Sequence, residues 1–322
     1  MKKIALSVLA ILFFILVAAQ SSTAQEKYTL KSAYPPGRYE MVTDIDMDMT
    51  MDMGGAKMPM KQKQTQYITI DAAERSSDGT QKIVQEITRI AMSGKMMMID
   101  TKYDSADPDA EKSPMKMMGA MVGMKLTMTF DKDGKMIKME GIDEFFEKLS
   151  KHPDYPKQVT EMLEKQMTDE SLTKSFDVMR EMMPKTPVGI GETWKTEGSS
   201  EMPILGKIKT NLENTLKEIK TENGRKLAVI VSKSILRSEE PKEIENMGIK
   251  MTFVKMDMSG ETAALVDLES GLLQKSVSDI TMAMELEADA GGKAMTQKMT
   301  GTTKTTVTVL RIPPPPVVSV IN

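Results

Sequence analysis

Apolar and polar residues alternate along much of the chain with a period of two. Between Asp44 and Met53, one set of alternate positions is apolar and rich in methionine, and the other is mostly aspartate. Successive side chains of a β-strand point to opposite faces of its sheet, so this stretch predicts a strand with one apolar and one acidic face. Similar alternation occurs at Met124, Leu126, Met128 and Phe130, and again at Ile280, Met282, Met284 and Leu286.

Turn-forming residue pairs separate these alternating stretches. The four pairs that lie between apolar runs are Asp78-Gly79, Asp133-Gly134, Asn223-Gly224 and Ser270-Gly271. Glycine tolerates the left-handed backbone conformation that tight hairpin turns require. The sequence therefore predicts a mainly β fold of the α+β class, built on a large antiparallel sheet or half-barrel with one dry face.

Residues 143–183 depart from this pattern, because their apolar positions follow helical spacing. The series begins with Phe145, Phe146 and Leu149, and Asp143 is placed to cap the first helix. The prolines that would end successive helices are Pro153, Pro156 and Pro184. We expect two or three helices in this connector, between β-rich halves at about residues 25–142 and 186–312.

The two halves show a similar order of features. Each contains a glycine turn, a long alternating run and a hairpin turn that starts with aspartate. The first set is Gly37, Thr80–Ile90 and Asp131–Gly134, and the second is Gly191, Arg225–Leu236 and Asp267–Gly271. This order indicates a duplicated unit. Two unrelated β-meanders would also look partly alike, so that alternative stays open.

The N-terminus has the three parts of a secretory signal peptide. Lys2 and Lys3 precede an uncharged apolar run, which small residues follow up to Ala24. We expect cleavage near Ala24, a single β-rich domain at 25–312 and a proline-rich tail at 313–322. The protein is then periplasmic or secreted. An uncleaved anchor is the alternative, but the apolar run is shorter than the roughly 20 residues that span a bilayer.

Composition excludes several classes of function. The chain has 322 residues, no cysteine, one histidine (His152) and a net charge of −3. Thiolate metal sites and catalysis by paired imidazoles are therefore excluded, and nothing indicates a nucleic-acid partner. No motif for nucleotide binding or hydrolysis occurs. We expect no enzymatic activity, no cofactor and no membrane-spanning segment in the mature chain.

Short motifs in the first half resemble a known family. They are Tyr28–Lys31, Pro35–Tyr39, Tyr103–Ser105 and Asp131–Gly134. Together with the leader they resemble an uncharacterised family of secreted bacterial proteins, known as a domain of unknown function. That family is similar at fold level to the half-barrel of the lipoprotein carrier LolA and its lipid-binding relatives. The resemblance implies a sheet wrapped around helices and an apolar ligand, and it transfers no site residue.

The 34 methionines raise the main functional question. One hypothesis is that they only fill the core, because methionine is flexible and packs into irregular gaps. A second is that they line a cavity for a lipid-like ligand or a protein partner. The candidate lining residues, chosen by strand parity, are Met47, Met49, Met51, Met124, Leu126, Met128, Met282 and Met284.

A third hypothesis is copper binding, because thioether sulfur prefers Cu(I) to harder ions. The candidate ligands lie in segments rich in glycine or proline that we expect to be loops. They are Met58, Met60, Met117, Met118 and Met121. From the sequence we favour a non-catalytic binding protein for an apolar ligand. A Cu(I)-binding protein and a structural envelope protein without a ligand are the alternatives.

Overall fold

The computed structural model describes residues 26–96, 99–113, 115–151, 160, 164, 183–202, 206–246, 249–289 and 294–313. In the first half the strands are β1 (Lys27–Tyr28), β2 (Gly37–Met53), β3 (Ala56–Ala72), β4 (Gln81–Met96), β5 (Ile99–Asp104), β6 (Lys125–Phe130) and β7 (Met136–Glu140). In the second half they are β8 (Val188–Gly189), β9 (Thr193–Met202), β10 (Gly206–Glu222), β11 (Arg225–Ser238), β12 (Lys242–Asn246), β13 (Ile249–Asp267), β14 (Leu273–Asp289) and β15 (Ala294–Ile312). Helix α1 spans Ile142–Ser150, and 3₁₀ helices span Ala110–Lys112 and Lys116–Met121.

Thirteen of the described strands form one antiparallel sheet. Its order is β7-β6-β4-β3-β2-β15-β14-β13-β11-β10-β9, with β5 paired to β4 and β12 paired to β13. The order runs from β7 at one edge to β9 at the other, so the sheet is an open half-barrel. The remaining strands, β1 and β8, pair with each other. This architecture confirms the predicted mainly β fold.

The predicted turns join the strands of this sheet. Asn223 and Gly224 both have positive φ, at 51° and 77°, in the two-residue turn between β10 and β11. The Asp131 carboxylate accepts hydrogen bonds from the backbone N–H groups of Asp133 and Lys135, each at 2.9 Å. Side-chain acceptors of this kind replace backbone partners in tight turns. Local turn chemistry therefore sets the hairpins.

The pairing order of β2–β7 recurs in β9–β14. In each series the first three strands form a meander, and a short strand follows that lies outside the main order. The strand after it then pairs with the third strand and forms a hairpin with the last one. This recurrence in the structure matches the order of features from which the sequence indicated a duplicated unit. The strand β15 is additional, and it joins the two series by pairing with β2.

Helix α1 covers one end of the first half. Its four buried residues, Ile142, Phe145, Phe146 and Leu149, follow helical spacing and are each at most 7% exposed. The structure corrects the predicted start, because Gly141 is the N-cap and Asp143 lies exposed in the first turn. Within the predicted connector, Thr160 and Glu164 are also helical. Residues 152–159, 161–163 and 165–182 lie outside the described residues.

Two apolar cores lie at this same end of the sheet. The first packs α1 against strands of the first half, and its members include Tyr39, Ile70, Met128, Met136 and Met139. The second lies under the β1–β8 pair and consists of Leu30, Val188, Leu216, Ala228, Ile230 and Val266. Among the described helices, none is long and apolar enough to cross a membrane. The predicted signal peptide lies outside the described residues, as does the tail from residue 314.

Candidate functional site

Methionines from five neighbouring strands form two adjacent rows on one face of the sheet. Residues directly opposite each other in a sheet point to the same face. The first row, from β3 to β13, is uninterrupted and consists of Met58, Met51, Met299, Met284 and Met256. The second row lies two residues away on each strand and consists of Met60, Met49, Gly301, Met282 and Met258. We call these nine methionines the methionine face.

The methionine face lies at the ends of the strands that are remote from the two cores. On β2, for example, Tyr39 belongs to the first core, whereas Met49 and Met51 lie ten and twelve residues further along. Met49 and Met256 are only 5% and 4% exposed, and the other seven methionines are half-buried. The face is therefore a broad apolar surface, part of which stays accessible to solvent.

The opposite side of the same strands is charged and exposed. Lys61 bonds to Asp48 at 2.8 Å, and Lys63 approaches Asp46 to 3.3 Å. The hydrogen bond to Asp48 raises the pKa of Lys61. The exposure of Asp46 and Asp48 and the burial of Met49 confirm the predicted division of faces. Exposed ion pairs of this kind add little stability.

Glycines within three strands allow close approach between neighbouring strands beside the methionine face. A Cβ atom at Gly94, Gly260 or Gly301 would overlap a backbone carbonyl oxygen of the adjacent strand. At Gly301 it would also lie 2.7 Å from Cα of Met49. Glycine inside a strand commonly marks a sharp bend or a close approach of backbones. These residues therefore permit tight coiling of the sheet where the methionine rows cross it.

A small cavity opens at the β4 side of the methionine face. Its wall includes five methionines: Met47, Met49, Met60, Met92 and Met115. The volume is about 30 Å³. The Gln62 side-chain amide lies in the same wall and donates a hydrogen bond to Sδ of Met92 at 2.9 Å.

Two larger cavities lie near the cores. One, of about 290 Å³, is lined by residues that include Tyr34, Ile83, Phe130 and Met183. The other, of about 940 Å³, has a polar wall that includes Arg225, Asp267 and Arg311. Tyr34 contributes to both, and burial raises the pKa of its hydroxyl. These cavities contain none of the candidate residues from the sequence.

The predicted lining residues fall into two separate groups. Met47, Met49, Met51, Met282 and Met284 lie on or directly beside the methionine face. Met124, Leu126 and Met128 instead belong to the core beneath α1, where Met128 is 1% exposed. The structure therefore does not bring all eight residues to one surface. Strand parity assigned each residue to a face, but it did not indicate what covers that face.

The predicted copper ligands are also dispersed, and Met58 and Met60 do not lie in a loop. The turn at Gly54 and Gly55 is tight, since the Asp52 carboxylate accepts a hydrogen bond from Gly55 N–H at 2.8 Å. Pairing resumes at once at Ala56, which places both methionines on β3. The other three candidates lie in the 3₁₀ helix Lys116–Met121, and its last residue packs against the core beneath α1.

Sequence reasoning missed several residues of the methionine face. Met256 and Met258 alternate with charged and polar residues, a pattern that was visible in the sequence. Met299 carries no such signal, because threonine and lysine dominate its surroundings. Its place in the row follows from the pairing of β15 with β2, which are about 250 residues apart in the chain. That pairing could not be inferred from local periodicity.

The Tyr103–Ser105 motif has a structural role at the β4–β5 hairpin. The Arg89 guanidinium donates two hydrogen bonds to the Asp104 carboxylate, at 2.9 and 2.5 Å. These bonds hold the pKa of Asp104 below its usual value. The Ser105 hydroxyl accepts a hydrogen bond from Ile90 N–H at 3.0 Å. Both residues therefore fasten β5 to β4.

These features define a class: an open antiparallel half-barrel with one methionine-rich face and a helix over its other end. The family model described as "Family of unknown function (DUF6263)" matches residues 78–273, from just before β4 to the start of β14. The chain belongs to this family. The predicted membership in a family of unknown function is thus confirmed. Among proteins of curated function, no significant match is found.

Three similar solved structures are remote in sequence. Lipovitellin, from a structure entitled "Lipid-protein interactions in lipovitellin", is 7% identical over 88% of this chain and 26% of its own, with a TM-score of 0.42. An outer membrane channel from Pseudomonas putida F1 is 7% identical over 87% and 97% of the two chains, with a TM-score of 0.21. A DUF1329 family protein from Desulfovibrio piger is 8% identical over 81% and 83%, with a TM-score of 0.12. The chain thus spans about a quarter of the lipovitellin chain. TM-scores as low as these do not support the transfer of a function to this chain.

Proposed function

We propose that this protein is an exported, non-catalytic binding protein that holds an apolar, lipid-like ligand on the methionine face. The observation that carries the proposal is the uninterrupted row of five methionines across five neighbouring strands. Monomeric soluble proteins rarely leave a large contiguous apolar patch accessible without a binding role. Here seven of the nine methionines stay half-buried rather than closed off.

The dimensions and chemistry of the methionine face suit an acyl chain. Four inter-strand spacings of about 4.8 Å give each row a length of about 19 Å, comparable to an extended long acyl chain. Each methylene group removed from water contributes about 0.8 kcal/mol. Unbranched thioether side chains adjust to ligands of different shape, so the face would accept a class of lipids rather than one species.

The charge on the opposite side of the sheet supports binding of an apolar ligand on the methionine face alone. Asp46 and Asp48 with their lysine partners make that side unfavourable for apolar molecules. The proposal of export is supported by the basic, apolar and small-residue segments that end at Ala24. In the envelope or outside the cell, such a protein would carry or store an apolar molecule without transforming it.

The test is native mass spectrometry of protein purified from the compartment to which it is exported. We expect a retained mass in the range of fatty acids or phospholipids, which organic extraction releases. A protein with no retained lipid, and with no affinity for a fluorescent fatty acid, would support the structural envelope protein instead.

Charge substitutions then locate the ligand. Met51→Lys with Met284→Lys places two charges on the methionine face at half-buried positions. Thr300→Lys with Thr302→Lys is the matched control, since both threonines are exposed on the other side of β15. We expect the first pair to weaken fatty-acid binding at least about tenfold, and the control pair to leave it unchanged. Equal affinities in the two variants would place the ligand elsewhere.

A further inference from the structure

Five methionines from four separate segments line one small cavity. Met47 and Met49 come from β2, Met60 from β3 and Met92 from β4, while Met115 directly precedes the 3₁₀ helix Lys116–Met121. Met49 and Met60 lie directly opposite each other in the β2–β3 ladder. Residues up to 68 positions apart in the chain thus contribute the same functional group to one cavity wall.

The volume of the cavity limits what it can hold. At about 30 Å³ it matches the space of one water molecule or one ion, and an acyl chain is far too large for it. Met49 and Met92 are 5% and 6% exposed, so these two side chains of its wall are largely shielded from water, whereas Met47, Met60 and Met115 are half-buried. The Gln62 amide donates to Sδ of Met92, which shows that this sulfur is directed toward the Gln62 side chain in the same wall.

The charged residues of the wall do not place ammonium groups in the cavity. Lys61 alternates with Met60 and Gln62 along β3, and its ammonium group bonds to Asp48 on the opposite side of the sheet at 2.8 Å. Lys95 lies directly opposite Lys61 in the β3–β4 ladder, so its side chain points to the same charged side. The wall contains no carboxylate among the residues that line it.

We propose that this cavity is a binding site for one monovalent soft metal ion, Cu(I) or its analogue Ag(I), with its ligands drawn from the thioether groups of Met47, Met49, Met60, Met92 and Met115. Thioether sulfur selects Cu(I), whereas Ca²⁺ and Mg²⁺ require several oxygen ligands that the wall does not supply. The site differs from the copper ligands predicted from sequence, with which it shares only Met60. It is also independent of the acyl-chain proposal, because it depends on sulfur rather than on apolar area.

The test is anaerobic Cu(I) titration of the full chain in competition with bathocinchoninate, a chromophoric Cu(I) chelator. We expect one equivalent to be withdrawn from the chelator, with a first coordination shell of sulfur alone in X-ray absorption spectra. In the triple variant Met49→Leu, Met60→Leu and Met92→Leu, we expect at least about a hundredfold loss of affinity. Leucine keeps the apolar volume, and each such exchange usually costs less than about 1.5 kcal/mol, so the triple variant should stay folded.

The matched control replaces three methionines outside the cavity, as Met117→Leu, Met118→Leu and Met121→Leu. We expect this variant to bind Cu(I) as tightly as the unaltered chain. The proposal is overturned if the control variant loses binding while the first triple variant retains it. It is equally overturned if the unaltered chain withdraws no Cu(I) from the chelator, or if its absorption spectra show oxygen or nitrogen ligands in place of sulfur.

Discussion

Two methionine-rich regions of this molecule differ in what covers them. At one end, Met128, Met136 and Met139 lie beneath α1 and are at most 6% exposed. At the other end, the methionine face carries more methionines, yet most of them remain half-buried. The four buried residues of α1 all belong to the core of the first region, which contains no member of the methionine face. The same residue type therefore serves as closed core in one region and as an accessible apolar surface in the other.

The largest expected effect comes from a charge placed at the buried centre of the methionine face. Met49→Asp would bury an unpaired carboxylate and should cost several kcal/mol in free energy of unfolding. Asp48→Asn, at the adjacent exposed position, should be nearly silent. Urea unfolding followed by circular dichroism measures both variants. Equal effects would contradict the assignment of the two faces.

Truncation of single methionines sharpens the comparison between the two regions. Met128→Ala removes a fully buried side chain and should lower the free energy of unfolding by about 2–5 kcal/mol. Met51→Ala, at a half-buried position, should cost less than about 1.5 kcal/mol, because its side chain already contacts solvent. Chemical denaturation compares the two. A cost at Met51 as large as that at Met128 would mean that the methionine face is closed core.

A substitution at Gly301 tests whether β15 approaches β2 closely within the methionine face. Gly301→Ala adds a Cβ atom that would overlap the carbonyl oxygen of Asp48, so the strands must separate. We expect a loss of about 1–3 kcal/mol, as for overpacking in cores. Gly198→Ala is the control, since no heavy atom lies within 4 Å of its Cβ position. A similar small effect at both glycines would show that the sheet is not tightly coiled there.

How far the sequence predicts this molecule depends on the range of the interactions involved. Alternation between Asp44 and Met53 was enough to assign the two sides of β2, and the Asn223-Gly224 pair was enough to place a hairpin. The methionine rows depend on pairing between distant strands, such as Met51 with Met299, and local patterns carry no information about it. Likewise, nothing in the α1 sequence indicates that it covers Met128 rather than Met49.

The smallest expected effect concerns the ion pair between Arg89 on β4 and Asp104 on β5. The hydrogen bonds from Arg89 lower the pKa of Asp104 in the folded chain. The ionised pair therefore adds to the free energy of unfolding above the ordinary carboxyl pKa near 3.9, and this stabilisation is lost as the pH falls through the lower pKa of the folded state. For a partly exposed pair we expect up to about 1 kcal/mol. Asp104→Asn should therefore be less stable than the unaltered chain at pH 7. The difference should shrink in acid below pH 4, and a difference that grows in acid would contradict this sign.

The most direct test of the central claim is photo-crosslinking with a fatty acid that carries a diazirine group, followed by peptide mapping. We expect the label to attach to the ends of β2, β3, β13, β14 and β15 that carry the methionine face, and unlabelled fatty acid to compete for it. Labelling centred on the 290 Å³ cavity near Ile83 and Phe130, or labelling that no competitor reduces, would contradict it.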